Sequence, residues 1–236
     1  MHNMNSFPPA GIAVVIGASG GLGSALFRPL ARSSRFGQVV GLSRSAGSID
    51  LTNEQSIATA AAAIKAIDMP LRLVLVATGL LHDDQLQPEK SWRHLDADRL
   101  ARSFAVNATG PALIAKHFLP LLPREGKAVF AAISAKVGSI GDNHLGGWYG
   151  YRAAKAALNQ LIHTAAIELQ RTRPDAFCVT LHPGTVATPL SAPFTASGHD
   201  PVTAEFAAAR LLSVIDNLRA ADNGRMLDHT GQPLPW

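Results

Sequence analysis

Tyr151 and Lys155 stand four residues apart where "GGWYG" gives way to the alanine-rich run "YRAAKAALNQL". Residues at i and i+4 are neighbours on one face of a helix. An ammonium beside a phenol favours the phenolate and draws its pKa down from about 10. A phenol tuned in this way can give or take the proton of an alcohol–carbonyl interconversion. The same spacing also describes two polar residues on one side of an ordinary helix, and the pair alone leaves both readings open.

Two further residues bear on the choice. Ser134 ends the apolar run "KAVFAAIS", where its hydroxyl can point into a crevice and polarise a carbonyl oxygen together with Tyr151. A strand-end serine can equally close a local turn. Asn107 lies in "FAVNATGPALIAKHF", four residues before Pro111. Proline has no N–H to give and its ring crowds the carbonyl at i−4, which frees the main-chain carbonyl of Asn107 for a water or simply kinks the helix.

A nucleotide can be placed against these residues. After the run "IAVVIG" comes "GASGGLGSALF", in which Gly17, Gly21 and Gly23 are spaced G-x-x-x-G-x-G. Glycines bring main-chain N–H groups close to a pyrophosphate, and a helix beginning near Leu22 aims its positive end there. A plain glycine-rich turn has the same appearance. Further on, "GLSRSAG" offers Ser43, Arg44 and Ser45 and no carboxylate. A ribose 2′-hydroxyl is usually met by Asp or Glu and a 2′-phosphate by Arg, so NADP is favoured over NAD unless Arg44 is a solvated surface residue.

These residues need a scaffold. Apolar runs of strand length recur at 12–17, 38–43, 71–78, 127–134 and 177–183, with shorter pieces at 48–51 and 224–229. The main runs are continuous rather than alternating, as in strands buried on both faces of a parallel sheet. Between them helical periodicity marks 22–33, 53–67, 96–121, 149–172 and 201–219. Strand–helix alternation predicts an α/β fold, a doubly wound parallel sheet that binds ligands beyond the carboxyl ends of its strands.

Bulk properties narrow the class. With 236 residues, 47% of them apolar, the chain can bury a sizeable core, and no linker or repeat divides it. We expect a loose tail over residues 1–9, without the features of a signal peptide, and one domain over 10–236. The formal charge of +4 comes from scattered Lys and Arg, which argues against a nucleic-acid surface. No apolar run reaches membrane-spanning length, and the single cysteine, Cys178, sits inside an apolar run. The expected setting is the cytoplasm, without a metal site.

Taken in order, Gly17-x-x-x-Gly21-x-Gly23, Asn107, Ser134 and Tyr151-x-x-x-Lys155 resemble the short-chain dehydrogenase/reductase family, from residue 12 to 229. The resemblance implies a single-domain Rossmann-type fold of strand order 3-2-1-4-5-6-7, a nicotinamide cofactor and hydride transfer at a carbonyl carbon. It makes Tyr151 the proton donor and has Lys155 lower its pKa while binding the nicotinamide ribose. Ser134 would orient the substrate oxygen, and Asn107 would hold a water in a proton relay through Lys155. It adds Ser19 to the phosphate turn, gives Asp50 and Leu51 to the adenine, and gives Ala77, Thr78 and Gly79 to the cofactor's floor. In "HPGTVATPL", Pro183, Gly184 and Val186 would face the nicotinamide, with Thr188 near the carboxamide or phosphates.

Two departures stand out. The family's Asn-Asn-Ala-Gly is here "VATG", Val76 to Gly79, and the interval from Ser134 to Tyr151 is long. The stretches "LLHDDQLQPEKSW" and "SIGDNHLGGWYGYRAAKAALN", with the ending "GQPLPW", resemble the C-factor-like branch, which is associated with cell–cell signalling as well as reductase-like sequences. The substrate, a small carbonyl or alcohol, would be met by the loops 135–148 and 189–200, with His144, Leu145, Trp148 and Phe194 as wall residues. The resemblance also implies a homodimer or homotetramer through the helices at 96–121 and 149–172. A non-catalytic dinucleotide-binding or signalling protein is the competing class, and an isomerase or dehydratase on the same fold also fits these residues.

Overall fold

Six parallel strands pair into one sheet in a computed structural model of the protein, which describes residues 4–194 and 201–236. They are β1 (Gly11–Ile16), β2 (Phe36–Leu42), β3 (Leu71–Val76), β4 (Ala128–Ile133), β5 (Ala176–His182) and β6 (Met226–Asp228), in the order β2-β1-β3-β4-β5-β6. The helices between them are α1 (Gly21–Ala31), α2 (Glu54–Lys65), α3 (Ala97–Phe104), α4 (Gly110–Phe118), α5 (Tyr149–Gln170) and α6 (Ala204–Asp216).

The side-chain period of two explains the unbroken apolar runs. Val14, Val74 and Phe130 face one layer, where they meet Ile57 of α2, Ile114 and Phe118 of α4, and Leu158 and Ile162 of α5. Val15, Leu75 and Val129 face the other, against Leu26 and Leu30 of α1 and Leu211, Leu212 and Ile215 of α6. Each such side chain removed from water contributes about 1.5–3 kcal/mol, so the central strands hold the sheet's carboxyl edge in a fixed place. Side-chain caps sharpen the helix starts: Asn53 accepts from Ser56 N, Asp96 from Arg99 N and Thr203 from Phe206 N.

The doubly wound parallel sheet is the expected one, with two corrections. Residues 48–51 form no strand, so the sheet has six strands and the outermost member of the order 3-2-1-4-5-6-7 is missing. Ile49 is buried with the α2 layer, but Asp50 accepts from Thr52 N at 2.9 Å and from Thr52 Oγ1 at 2.7 Å, a local turn that competes with pairing. The other correction concerns the N-terminus. Residues 1–3 lie outside the described residues, but Met4 and Phe7 are buried with the α1–α6 layer, and Ser6 Oγ donates to Asp216 Oδ1 at 2.6 Å. The tail's apolar residues, few as they are, find that layer open beside Phe36, whose ring centroid lies 5.6 Å from that of Phe7.

Candidate active site

The glycine turn between β1 and α1 is built by close approach. Gly17 has φ +89, and a Cβ there would lie 2.7 Å from Ala77 O; a Cβ on Gly23 would lie 2.0 Å from Gly17 O. Only glycines let the turn fold this tightly between β1 and β3. Helix α1 then starts without a side-chain cap and without an acid in its first turn among the described residues. Ser19 is exposed at this mouth, and Leu22 packs inward on the α1–α6 layer. Thr188 lies across the turn, its Cγ2 3.0 Å from where a Gly21 Cβ would be. Thr78 Oγ1, behind Gly17, is buried and has no hydrogen-bond partner among the described residues. A turn too tight for any Cβ at Gly17 or Gly23, and a helix start that no side chain caps among the described residues, leave main-chain N–H groups at the mouth and fit a dinucleotide's phosphates.

At the end of β2, Ser43 is buried and its Oγ lies 3.2 Å from Ser45 Oγ, while Arg44 is exposed and makes no ion pair among the described residues. Asp50, partly exposed, is held below the usual carboxylate range by its bonds from Thr52 and to a lesser degree by Arg44. Leu51 packs on the start of α4, its Cβ 2.8 Å from the Cβ position of Gly110. Beyond β5, Gly184 (φ +82) lies against the His229 ring, Pro183 is partly buried, and Val186 is buried and bridges to Val202.

The polar constellation is assembled from four elements. Lys155, 1% exposed, donates from Nζ to Ile133 O at 2.9 Å, and that nitrogen lies 5.7 Å from the Tyr151 ring centroid. A Cβ on Gly79 would lie 3.6 Å from Asn107 Oδ1 and 4.0 Å from Lys155 Nζ, so the floor after β3, the α3–α4 junction and α5 converge there. Ser134 is buried beside them, and its Oγ donates to Asn159 Oδ1 at 2.8 Å.

Asn107 is held by a contact that one sequence could not reveal. Its Oδ1 accepts from Leu80 N at 2.9 Å and its Nδ2 donates to Leu80 O at 2.7 Å, clamping the backbone just past the floor glycine. Residues Ala105–Thr109 form one π-helical turn immediately before Pro111. The missing proline N–H cannot continue the α-helical ladder, and the chain closes a wider ring instead, with Gly110 N donating to Ala105 O.

Burial sets the titration of the free site. It pushes Tyr151 up to about 12 and Lys155 down to about 8. The expected lowering of the phenol by the ammonium is therefore not what the free chain shows: desolvation of a crowded phenol outweighs a cation whose own charge is disfavoured by burial. Tyr151 is thus a held proton, suited to donation. A consequence follows for stability. A lysine with a lowered pKa costs stability wherever the unfolded chain holds the proton and the folded chain resists it, so that cost fades as pH rises from about 8 toward 10.5. Measured by urea unfolding of the free chain, wild type should gain roughly 2–3 kcal/mol on Lys155→Met between pH 7 and pH 10. A pH-independent difference would mean that Lys155 is not charged at a cost in the fold.

Over this site stands an aromatic wall. The Trp148 ring lies 6.3 Å from Tyr151 and 5.1 Å from Phe194, and Phe194 lies 5.4 Å from His82. Of the four wall residues expected, the structure therefore brings Trp148 and Phe194 together, and it places His144 exposed and Leu145 92% exposed. Residues 195–200 of the expected 189–200 loop lie outside the described residues. Trp148 takes a left-handed backbone, φ 52, following Gly146 and Gly147 at 64 and 66. Arg152 holds this turn, donating to Gly146 O, Gly147 O and Val137 O. Buried Glu89 accepts from Gly150 N at 3.0 Å and its carbonyl accepts from Trp148 N, so a carboxylate sits at the positive start of α5. Glu89, Leu80, His82 and Asn159 went unnoticed in the sequence; only Asn159, four residues past Lys155, carried a readable signal.

Comparison with known proteins places this geometry in context. Residues 24–217 match the family model described as "Enoyl-(Acyl carrier protein) reductase". A Rhodococcus protein named 1-hydroxy-2-glutathionyl-2-methyl-3-butene dehydrogenase is 34% identical over 188 residues, 80% of this chain and 78% of that one. The C-signal protein of Myxococcus xanthus is 34% identical over 143 residues, 60% of this chain and 81% of that one. Among solved structures, NADPH-bound carbonyl reductase from chicken fatty liver superposes with a TM-score of 0.81 at 23% identity, covering 97% of this chain and all of that one. At that identity the likeness is one of fold.

Proposed function

The chain belongs to the short-chain dehydrogenase/reductase family, and from that premise we propose that it interconverts a carbonyl and an alcohol with NADP(H). The observation that carries the reading is the convergence of Asn107, Lys155 and the β4 end, with Tyr151 on the same helix face, beside a glycine turn shaped for phosphate. Bound NADPH supplies a hydride. The chain's own residues do the rest. Tyr151 gives its proton to the oxygen of the carbonyl being reduced, and Lys155, beneath it, offers the positive charge that favours the resulting phenolate. Ser134 orients the same oxygen, and the Trp148–Phe194 wall limits access of water. Hydride to carbon and proton to oxygen make the alcohol.

Support for NADP over NAD comes from Arg44, which makes no ion pair among the described residues, and from the run Ser43-Arg44-Ser45 at the end of β2, which has no Asp or Glu. The NADPH named with the chicken carbonyl reductase agrees with this reading, and the dehydrogenase named in Rhodococcus agrees with an oxidoreductase. Arg44→Asp should reverse the preference, weakening NADPH and strengthening NADH, each by about tenfold or more, as read from Kd for both nucleotides. An unchanged ratio would place the 2′-phosphate elsewhere. The same reading puts the protein in the cytoplasm as a homodimer or homotetramer joined through the α3–α4 and α5 faces, where Leu161 and Ile167 stay exposed in the single chain. No helix among the described residues is long and apolar enough to cross a membrane.

The similarity to C-signal favours one second reading, a signalling protein on the same fold. Such a protein has no need of Tyr151, Lys155 and Ser134 together. Steady oxidation of NADPH by a reactive dicarbonyl, dependent on those residues, decides for the reductase; tight nucleotide binding without turnover of a wide carbonyl panel decides for the scaffold.

A further inference from the structure

Tyr151, Lys155 and Asn159 follow one another at intervals of four on a single face of α5. The first two have roles in the reading above, and the third has none. Asn159 is 2% exposed, so its amide must be satisfied within the protein. Its Nδ2 donates to Met226 Sδ of β6 at 3.2 Å, and its Oδ1 accepts from Ser134 Oγ at 2.8 Å. The sulfur decides which way the amide faces, because a thioether accepts and never donates. With the NH2 turned to Met226, the oxygen is turned to Ser134, and the serine must be the donor.

We infer that Asn159 is a positioning residue for the reaction: anchored by Met226, it holds the Ser134 hydroxyl at the crevice through a bond of fixed polarity. This rests on the reductase reading above. A serine side chain has three staggered rotamers, and a strand-end serine without a partner spreads among them. The Asn159 bond selects one, so Oγ waits at the place where a substrate oxygen arrives. When negative charge builds on that oxygen, the Ser134 proton can turn to it, because a charge-assisted bond is about twice as strong as a neutral one. The hydroxyl hydrogen moves and Oγ stays. Asn159 thus touches neither substrate nor cofactor and acts only through Ser134.

A double-mutant cycle tests this. Asn159→Leu should lower kcat for reduction of a dicarbonyl about tenfold, with Kd for NADPH unchanged, and should have no further effect in a Ser134→Ala background. Met226→Leu conserves volume and folds with little strain, yet removes the group that fixes the amide's direction. It should lower kcat by about threefold in wild type and not at all in Ser134→Ala, so the inference remains testable if Asn159→Leu does not fold. Equal losses in both serine backgrounds, or losses that fall on NADPH affinity, would overturn the role of Asn159 and leave the reductase reading intact. Full activity in Ser134→Ala alone would instead remove Ser134 from the reaction, and the positioning role with it.

Discussion

Tyr151→Phe is expected to lower kcat/KM for NADPH-dependent carbonyl reduction by about 10²–10⁴-fold, the usual contribution of a positioned general acid, while NADPH binding stays unchanged. Reduction of a carbonyl needs a proton as well as a hydride. A hydride reaching the carbonyl carbon would leave charge on oxygen, and a proton must neutralise it. The Tyr151 proton is available throughout the neutral range because burial holds its pKa near 12. Phenylalanine keeps the ring, and with it the edge contact to Trp148 at 6.3 Å, so the fold and the wall survive the change. Stopped-flow binding of NADPH alongside steady-state turnover separates the two effects. Near-wild-type turnover would take Tyr151 out of the chemistry.

Gly23→Ala carries the second large effect, on cofactor binding rather than on the chemical step. A Cβ at this position would meet Gly17 O at 2.0 Å and Gly17 C at 2.7 Å, backbone atoms with no side-chain freedom to yield. Relief requires the start of α1 to swing away from β1, which removes the N–H groups from the place where a pyrophosphate would sit. Dinucleotide affinity should fall by more than about a hundredfold, and overpacking should cost about 1–3 kcal/mol in stability. Gly21→Ala is the graded control. Its Cβ would meet the Thr188 methyl at 3.0 Å, a side chain that can turn aside, and a smaller loss is expected. Titration of NADPH by fluorescence, with urea unfolding in parallel, reads both quantities. Equal affinity in Gly23→Ala and wild type would mean that the turn does not carry the nucleotide.

Much of this arrangement could be read before any coordinates. The strands of a parallel sheet are apolar on both faces, so β1, β3, β4 and β5 announce themselves as unbroken runs. Beyond those ends lie Gly17 and Ser134, legible from their adjacency to β1 and β4, and Gly79 and Pro183, which the family resemblance singles out. What stays hidden depends on which of two competing contacts wins or on partners distant in sequence. Residues 48–51 look like a strand, but nothing local shows that the Asp50–Thr52 turn wins over pairing with β2. Met4 and Phe7 look like a tail until the gap beside Phe36 is seen. The Asn107–Leu80, Glu89–Gly150 and Asn159–Met226 contacts join residues separated by 27, 61 and 67 positions. Each involves a polar side chain that would be unremarked on a solvated face and becomes informative only when burial demands a partner.

The electrostatics were the least legible part. Tyr-x-x-x-Lys reads as a phenol lowered by a cation, whereas the folded free site raises the phenol and lowers the amine, because both lie in the same desolvated pocket. The donor role needs only the first of these shifts. It follows that the ammonium, not the phenol, is the group that titrates near pH 8 in the free chain.

The most direct measurement follows the hydride itself. NADPH carrying deuterium at both hydrogen positions of its hydride-donating carbon would be incubated with the wild-type protein and a reactive dicarbonyl, and the product alcohol examined by mass spectrometry. One deuterium is predicted on the new carbinol carbon of each product molecule, with product formed at least about a hundredfold more slowly by Tyr151→Phe. Product without deuterium, or deuterated product formed equally well by Tyr151→Phe, would contradict it.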